Sequence, residues 1–352
     1  NIKTKTNKKK ILKKKMLLNS VSLNSKKIKK NSVFFGVKGQ NFDGNKFGIE
    51  AIKNNAILAI TNKKLKNSKN IFNKNPFEEL NKFSSTYRKS LDSNNIVITG
   101  SSGKTSVKEL TGFCLKKLDK TYYSKNSFNN KYGVPLSILN SPQSTKFSVL
   151  EVGMDKKGEI DSLTKLIRPN LGLITNISYA HIKNFKNLNE IAKAKGEIIN
   201  NIFPSGVMII NKDDKFCNYF LSRAKMRNLN IITFSKKNKL ADVVYLGQKK
   251  NRNEYLCKFL IKAKIKFFAI PEHLINYKEN ILSTLSIISS YFNIDELPTS
   301  LFLNFEIPKS RGSIVNYNRG KKKITIIDES YNSNTLSFKF DLDKIDENYK
   351  KN

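Results

Sequence analysis

The hydrophobic pattern along this chain falls into three stretches. Residues 32–37 (Ser-Val-Phe-Phe-Gly-Val) predict a strand, and the turn formers of 38–44 predict a loop behind it. A helix pattern at 47–54 and a strand at 56–61 follow. A polar Lys/Asn stretch, 62–75, separates these from a helical segment at 76–89. Then the rhythm changes. Residues 96–99 (Ile-Val-Ile-Thr) are a β-branched strand run and 100–105 a Gly/Ser loop. Residues 106–118 have helical spacing, with Val107, Leu110, Phe113, Cys114 and Leu118 on one face. Further strands are predicted at 147–152, 171–177, 206–211 and 231–234, with helices at 159–167 and 188–199 between them. Beyond 234 the pattern is richer in strands, at 243–246, 255–261 and 264–270, until a helix at 279–291. Residues 308–312 read as a linker, and 324–328 start a new strand.

Strand and helix in alternation argue for a mostly parallel sheet covered by helices, so the fold class is α/β. At 352 residues the chain exceeds one ordinary core. The changes of rhythm place a small N-terminal α/β domain at 1–90, a central domain at 91–308 and the beginning of a further domain at 309–352. No internal repeat is found.

Composition narrows the function classes. Hydrophobic residues make up 39% of the chain, which is low, yet 23 Phe and 13 Tyr suffice to build cores. No apolar run approaches the roughly 18 residues needed to cross a membrane. The first residue is Asn rather than Met, which leaves the true start open. The Lys-rich opening, residues 1–15, has no apolar core of signal-peptide type behind it, so no secretion is expected. Cys114, Cys217 and Cys257 lie at neither metal nor redox spacing and read as buried thiols of a reducing compartment. The formal charge is +37, from 65 basic and 28 acidic residues. Such a charge admits a nucleic-acid binder. The lysines are diffuse, however, arginines are few, and no aromatic-basic motif appears, so no specific nucleic acid is expected. A positive field would also favour anionic small molecules.

The strongest local signal is Gly100-Ser101-Ser102-Gly103-Lys104-Thr105-Ser106 between the strand at 96–99 and the helix behind it. Binding a triphosphate requires small residues whose backbone N–H groups point inward, and a helix N-terminus facing the charge. It also requires a Lys to reach the outer phosphates and a hydroxyl to hold Mg²⁺. Gly100 and Gly103 permit the loop, Lys104 is the cation and Thr105 the hydroxyl. The loop is shorter than the common phosphate loop, whose first Gly would fall on Ile98.

This short loop resembles that of the Mur ligases and folylpolyglutamate synthases, Gly-Thr-x-Gly-Lys-Thr. With the Val-Lys-Glu-Leu behind it, it is similar to the Mur branch that adds D-Ala-D-Ala. Other segments agree in the family's order. Residues 126–136 (Asn-Ser-Phe-Asn-Asn-Lys-Tyr-Gly-Val-Pro-Leu) resemble its Asn-Asn-x-x-Gly-Val-Pro segment. Glu151-Val152-Gly153 resembles its Glu-x-Gly strand end, and Asn176-Ile177 with His181 its Asn-Ile-x-x-x-His. Ala194-Lys195-Gly196-Glu197-Ile198 matches Ala-Lys-x-Glu-Ile. Asp328-Glu329-Ser330-Tyr331-Asn332 resembles Asp-Asp-Ser-Tyr-Asn, where the diaminopimelate-adding branch carries Asp-Asn-Pro-Arg.

The resemblance implies an ATP-dependent ligase of peptidoglycan precursor synthesis. It would join D-Ala-D-Ala to UDP-MurNAc-tripeptide through an acyl phosphate, in the cytoplasm and as a monomer. It implies a UDP-sugar-binding first domain, an ATP-binding middle and a Rossmann-like third domain of which only the start is present. A chain cut there is expected to bind nucleotide weakly and to ligate little or nothing, because domain closure completes such sites. Catalytic roles fall on Lys104, Glu151, His181 and Lys195. ATP contacts fall on Gly100, Ser101, Ser102, Gly103, Lys104, Thr105, Ser106, Asn280, Arg311, Asp328 and Tyr331. Substrate contacts fall on Ser25, Lys38, Asn129 and Asn130, although Asn24 and Lys26 depart from the family's Asp-Ser-Arg around Ser25. Thr105, Glu151 and His181 would hold Mg²⁺. Lys195 would join them if carbamylated by CO₂, as the matching lysine is in several relatives; unmodified, it would meet a phosphate. Two alternatives stay open: another Mur or folylpolyglutamate-type ligase, and a basic phosphate-loop protein acting on nucleic acid.

Overall fold

The computed structural model describes residues 18–39, 41–179, 184–252, 254–311, 313–319 and 322–328, with Ser330 and Leu342. The chain divides into two compact units, residues 1–89 with 138–140, and 90–137 with 141–352.

The first unit is a four-stranded parallel sheet in the order β1-β2-β3-β4, built from Ser20–Ser22, Ser32–Phe35, Ala56–Thr61 and Asn70–Phe72. Helix α1 is Gly48–Lys53 and α2 is Pro76–Ser90. Phe34, Ala51, Ala56 and Ala59 form its small core. The polar stretch at 62–75 hides β4, which the sequence pattern misses. The reason is Asn70, a buried polar residue whose side chain is satisfied from inside the fold. Its amide donates to the Ala59 carbonyl at 3.1 Å and to Thr61 Oγ1 at 2.8 Å, and its oxygen accepts from Leu65 N at 3.0 Å.

The second unit is organised on a nine-stranded sheet. Its strands are β5 (Asn94–Thr99), β6 (Thr121–Tyr123), β7 (Phe147–Glu151), β8 (Leu171–Ile174), β9 (Val207–Asn211), β10 (Asn230–Ser235), β11 (Val243–Asn251), β12 (Glu254–Ile261) and β13 (Lys264–Pro271). The spatial order is β13-β12-β11-β10-β9-β8-β5-β7-β6. Strands β6 to β11 pair in parallel, and β12 and β13 add antiparallel. The α/β expectation with a mostly parallel sheet is met. The helices are α3 (Lys104–Leu118), α4 (Gly133–Leu139), α5 (Glu159–Ile167), α6 (Leu188–Lys195), α7 (Cys217–Met226) and α8 (Lys278–Ile288). A last hairpin joins β14 (Ser313–Arg319) to β15 (Lys322–Asp328). Among the described residues no helix is long and apolar enough to cross a membrane.

Alternation along the central strands shows why they read as unbroken apolar runs. Ile96 and Ile98 of β5 join the main core with Val107, Leu110 and Leu115 of α3 and Leu282 and Leu285 of α8. Val97, between them, is equally buried but outside that cluster, so both faces of the strand are covered. Helices α3 and α8 meet through Thr111 and Thr284, whose hydroxyls lie 3.1 Å apart. All three cysteines are free and buried: Cys114 on α3, Cys217 on α7 and Cys257 on β12. Among the element bounds that differ from the sequence pattern, two have clear local reasons. Helix α3 begins at Lys104 rather than 106, because Gly103 takes a left-handed conformation and caps it. The helix expected over 188–199 stops at Lys195 and continues as a 3₁₀ turn from Gly196 to Asn201.

The topology sets where chemistry can collect. From β5 the chain goes out to β6 and β7 on one side, then crosses to β8 on the other. Such a reversal opens a crevice beyond the carboxyl ends of the strands. Thr99, Glu151 and Ile174 close β5, β7 and β8 at that edge.

Candidate functional site

The loop leaving β5 depends on two glycines. Gly100 has φ +146°, and a Cβ on it would come within 1.8 Å of Thr175 Oγ1. Gly103 has φ +79°, and a Cβ on it would stand 3.3 Å from Asn280 Oδ1, which places the start of α8 beside the loop. Lys104 Nζ donates to the carbonyls of Gly100 and Ser101 at 2.9 and 3.1 Å. Lys195, at the end of α6 and 1% exposed, donates to the same Gly100 carbonyl at 2.8 Å.

The segment after β8 braces the loop from the other side. Thr175 Oγ1 donates to the Ser102 carbonyl at 2.6 Å. Asn176 accepts from Ser102 N at 3.1 Å through its side chain and from Ser101 N at 2.9 Å through its carbonyl. Ser178 N donates to Ser101 Oγ at 2.9 Å. The brace is held in turn by Asp214, which accepts from Ile177 N at 2.7 Å; burial raises its pKa against the pull of its backbone donors.

Glu151 lies opposite. It is 1% exposed and fully engaged. Thr105 Oγ1 donates to Glu151 Oε2 at 2.6 Å, and Asn129 Nδ2 donates to Oε1 at 2.7 Å. Ser127 Oγ lies 3.4 Å from Thr105 Oγ1 and accepts from Arg311 Nη2 at 2.9 Å. One carboxylate therefore shares a small volume with the amines of Lys104 and Lys195, and Arg311 joins them through Ser127. Burial lowers the pKa of the half-buried Lys104; Glu151 opposes that shift and Arg311 adds to it. Lys195 is held well below the usual lysine range, by burial first and by Lys104 second, again against Glu151. Fixed donors and cations in a place poor in water act on an incoming anion more strongly than they would in solution.

The structure thus brings together Gly100 to Thr105, Glu151, Asn129, Lys195, Arg311 and Asn280, which come from six separate segments of the sequence. Ser106 and Asn280 line a small cleft with Tyr277, Phe305 and Ile307 behind the loop. Asn130 is turned elsewhere: its side-chain oxygen accepts from Tyr132 N and Gly133 N and caps α4. Asp328 accepts from Ser310 Oγ at 3.0 Å and from Ser330 N at 3.1 Å, at the linker. In the first unit Lys38 is exposed, while Ser25 is buried in a 3₁₀ turn and its carbonyl accepts from Asn54. His181 and Tyr331 lie outside the described residues. Among those described, no group of three His, Cys, Asp or Glu side chains is arranged to hold a metal.

Sequence reading gave no role to Thr175, Asn176, Ser127, Lys108 or Glu197. Glu197 sits in the Ala-Lys-x-Glu-Ile stretch. Its buried carboxylate accepts from Gly158 N at 2.8 Å and Asp161 N at 3.1 Å, at the N-terminus of α5. Its place in the Ala-Lys-x-Glu-Ile match was the available signal.

The family model of the Mur ligase middle domain matches residues 98–294. A UDP-N-acetylmuramoyl-tripeptide–D-alanyl-D-alanine ligase of Rickettsia prowazekii is 31% identical over 327 residues, covering 91% of this chain and 71% of that protein. A ligase of the same name from Buchnera aphidicola is 33% identical over 321 residues, covering 89% and 67%. A crystal structure of MurF from Acinetobacter baumannii superposes with a TM-score of 0.79 at 24% identity, covering 91% of this chain and 69% of that one. MurF of Thermotoga maritima in complex with ADP gives 0.75 at 24% identity, covering 94% and 75%. Those two structures bear on the fold, and the family model and the two sequence relatives on kinship: the chain belongs to the Mur ligase family, on the branch of the UDP-N-acetylmuramoyl-tripeptide–D-alanyl-D-alanine ligases.

Proposed function

We propose that this chain binds ATP at the Gly100–Thr105 loop and activates a UDP-MurNAc-tripeptide carboxylate for attack by the amine of D-Ala-D-Ala. The observation that carries the reading is the pair Thr105–Glu151, joined at 2.6 Å beneath a loop that also presents Lys104. A carboxylate is a poor acyl donor. Phosphorylation by ATP makes it an acyl phosphate, ADP leaves, and the amine displaces phosphate to form the amide. No protein nucleophile is required. The protein's part is to crowd anions together and offset their repulsion.

Each group has a place in that scheme. Lys104, freed from two backbone carbonyls, reaches the outer phosphates, and Arg311 supplies a second cation from the linker. Asn280, beside Gly103 at the start of α8, is assigned to the nucleoside. Mg²⁺ suits the donors present. Thr105 and Glu151 offer hard oxygen atoms, and Mg²⁺ characteristically takes one or two carboxylates plus phosphate oxygens rather than a cage of side chains. Bound there, the ion would withdraw charge from the phosphoryl group being transferred. Lys195 enters in one of two forms. The neutral amine favoured by its burial is the form that reacts with CO₂ to give a metal-binding carbamate; the ammonium would meet phosphate. Lys38 and Asn129 are assigned to the UDP-linked substrate. Residues 309–352 are read as the beginning of a third domain, and the enzyme as cytoplasmic.

The test is phosphate release, measured with ATP, UDP-MurNAc-tripeptide and D-Ala-D-Ala together and with each left out, using the chain extended to the length of its relatives. Release that needs all three supports the proposal. Release indifferent to both acceptor substrates removes it.

A further inference from the structure

Lys108 is fully buried, although lysine is among the residues least often found so. It stands one turn beyond Lys104 on α3 and three residues beyond Thr105, so the three share one stripe of the helix. Its ammonium has three donors and three partners. It donates to the carbonyls of Ser124 and Asn126 and pairs with Glu109 Oε1 at 2.8 Å. A buried charge persists only when so satisfied, and taking away one side of such an arrangement leaves the other buried and unpaired.

Those two carbonyls belong to the segment that joins β6 to α4. Ser124 N is tied to the Val149 carbonyl of β7 at 3.1 Å. Asn126 then turns the chain with φ +49°, a conformation Asn tolerates better than most side chains. From that turn the segment sends Ser127 to Thr105 and Arg311, and Asn129 to Glu151. The Asn129 carbonyl accepts from Gly153 N at 2.8 Å, just past Glu151. One helix therefore carries the phosphate-binding Lys104, the hydroxyl Thr105 and, a turn later, the anchor of the segment that orients Glu151.

We propose that Lys108 is a positioning residue: by fixing the Ser124 and Asn126 carbonyls it holds Asn129 against Glu151 and so sets the carboxylate that, with Thr105, receives Mg²⁺. The inference rests on the reading of the Thr105–Glu151 pair given above. It assigns Lys108 no contact with nucleotide or substrate. Its effect passes through Asn129, and it should appear in the metal-dependent part of nucleotide binding and not in the rest.

The test uses this chain and the non-hydrolysable analogue adenylyl-imidodiphosphate, titrated calorimetrically with excess Mg²⁺ and with EDTA. Wild type should bind more tightly with Mg²⁺. Lys108→Met, which keeps the length and removes the charge, should lose at least about tenfold of that gain while its affinity in EDTA stays within about twofold of wild type. Asn129→Ala should behave alike, and the double variant should be no weaker than Asn129→Ala alone, because both changes break one chain of contacts. If Lys108→Met does not fold, Lys108→Gln, whose amide can still serve one carbonyl, is read in the same way with a smaller loss. A full Mg²⁺-dependent gain in the folded Lys108 variant, or losses that simply add in the double variant, would overturn the role of Lys108 and leave the site reading intact. A wild-type chain with no Mg²⁺-dependent gain would overturn the site reading itself, and this inference with it.

Discussion

In the parallel part of the nine-stranded sheet, β5, β7 and β8 run out into polar residues that meet one another: Gly100 to Thr105, Glu151, and Thr175 with Asn176. In the antiparallel part, β12 returns into β13 through Lys262 and Ala263, a two-residue turn with φ +48° and +66°. The inward faces of these strands carry Cys257, Phe259, Ile261, Phe268 and Ile270, all in the main core. Phe268 packs edge-on against Phe302 at 5.6 Å and lies 6.0 Å from Phe259. The same sheet thus holds two kinds of buried material. Near β5 it buries Lys195 and Glu151 and half-buries Lys104, and their desolvation opposes folding. Near β12 it buries aromatic rings, whose removal from water drives folding. A ligase that keeps charges out of water at one place needs apolar surplus at another.

Four experiments press on that division. The largest effect is expected from Lys104→Ala in the phosphate-release assay, a loss of about 10³-fold or more, with the unfolding midpoint in denaturant little changed. A variant that unfolds instead would show that the loop cation also holds the structure together. Next is Phe268→Ala, with a loss of about 3–5 kcal/mol of stability in a denaturant titration. Whatever remains folded should bind nucleotide as wild type does, and a selective loss of nucleotide affinity would join the two regions that the comparison separates.

The third experiment reads pH. The Lys195 ammonium is held well below the usual lysine range by burial. Between its folded and its unfolded pKa the unfolded chain therefore carries more protons, so stability from this group rises with pH through that window and is lost as pH falls below it. Lys195→Met should flatten the rise in unfolding free energy as pH climbs towards the ordinary lysine range; an unchanged slope would mean that the amine is not titrating there. The smallest effect is expected from Ala263→Gly at the hairpin turn, a gain of about 0.5–1 kcal/mol by relief of a left-handed alanine, seen as a higher melting temperature with phosphate release untouched.

Much of this was legible from local pattern. The loop at 100–105 could be read because its requirements lie in consecutive residues, and β5, β7 and β8 because strands buried on both faces are apolar without interruption. What stayed hidden depends on contacts between distant positions. Lys108 is one of 65 basic residues, and nothing in its neighbourhood says that its nitrogen ends between two carbonyls 16 and 18 residues away. Asn129 and Asn130 read alike in the sequence, and only the fold tells their internal contacts apart: Asn129 reaches Glu151, and Asn130 closes the first turn of α4. Glu197 showed only its place in a motif; its use at the start of α5 needed two helices to be brought side by side. The strand β4 was lost in a Lys/Asn stretch because propensity says nothing about an asparagine that finds three partners indoors.

The three sheltered thiols give the molecule its own clocks. Burial pushes all three pKa values up, that of Cys257 to about 11, so a thiol reagent at neutral pH finds little thiolate and no access in the closed state. Labelling must wait for an opening. Cys114 lies on the helix that starts at the phosphate loop, and Cys257 in the aromatic hairpins. The two labelling rates, followed residue by residue in the unmodified chain, time the breathing of the reactive end and of the structural end separately.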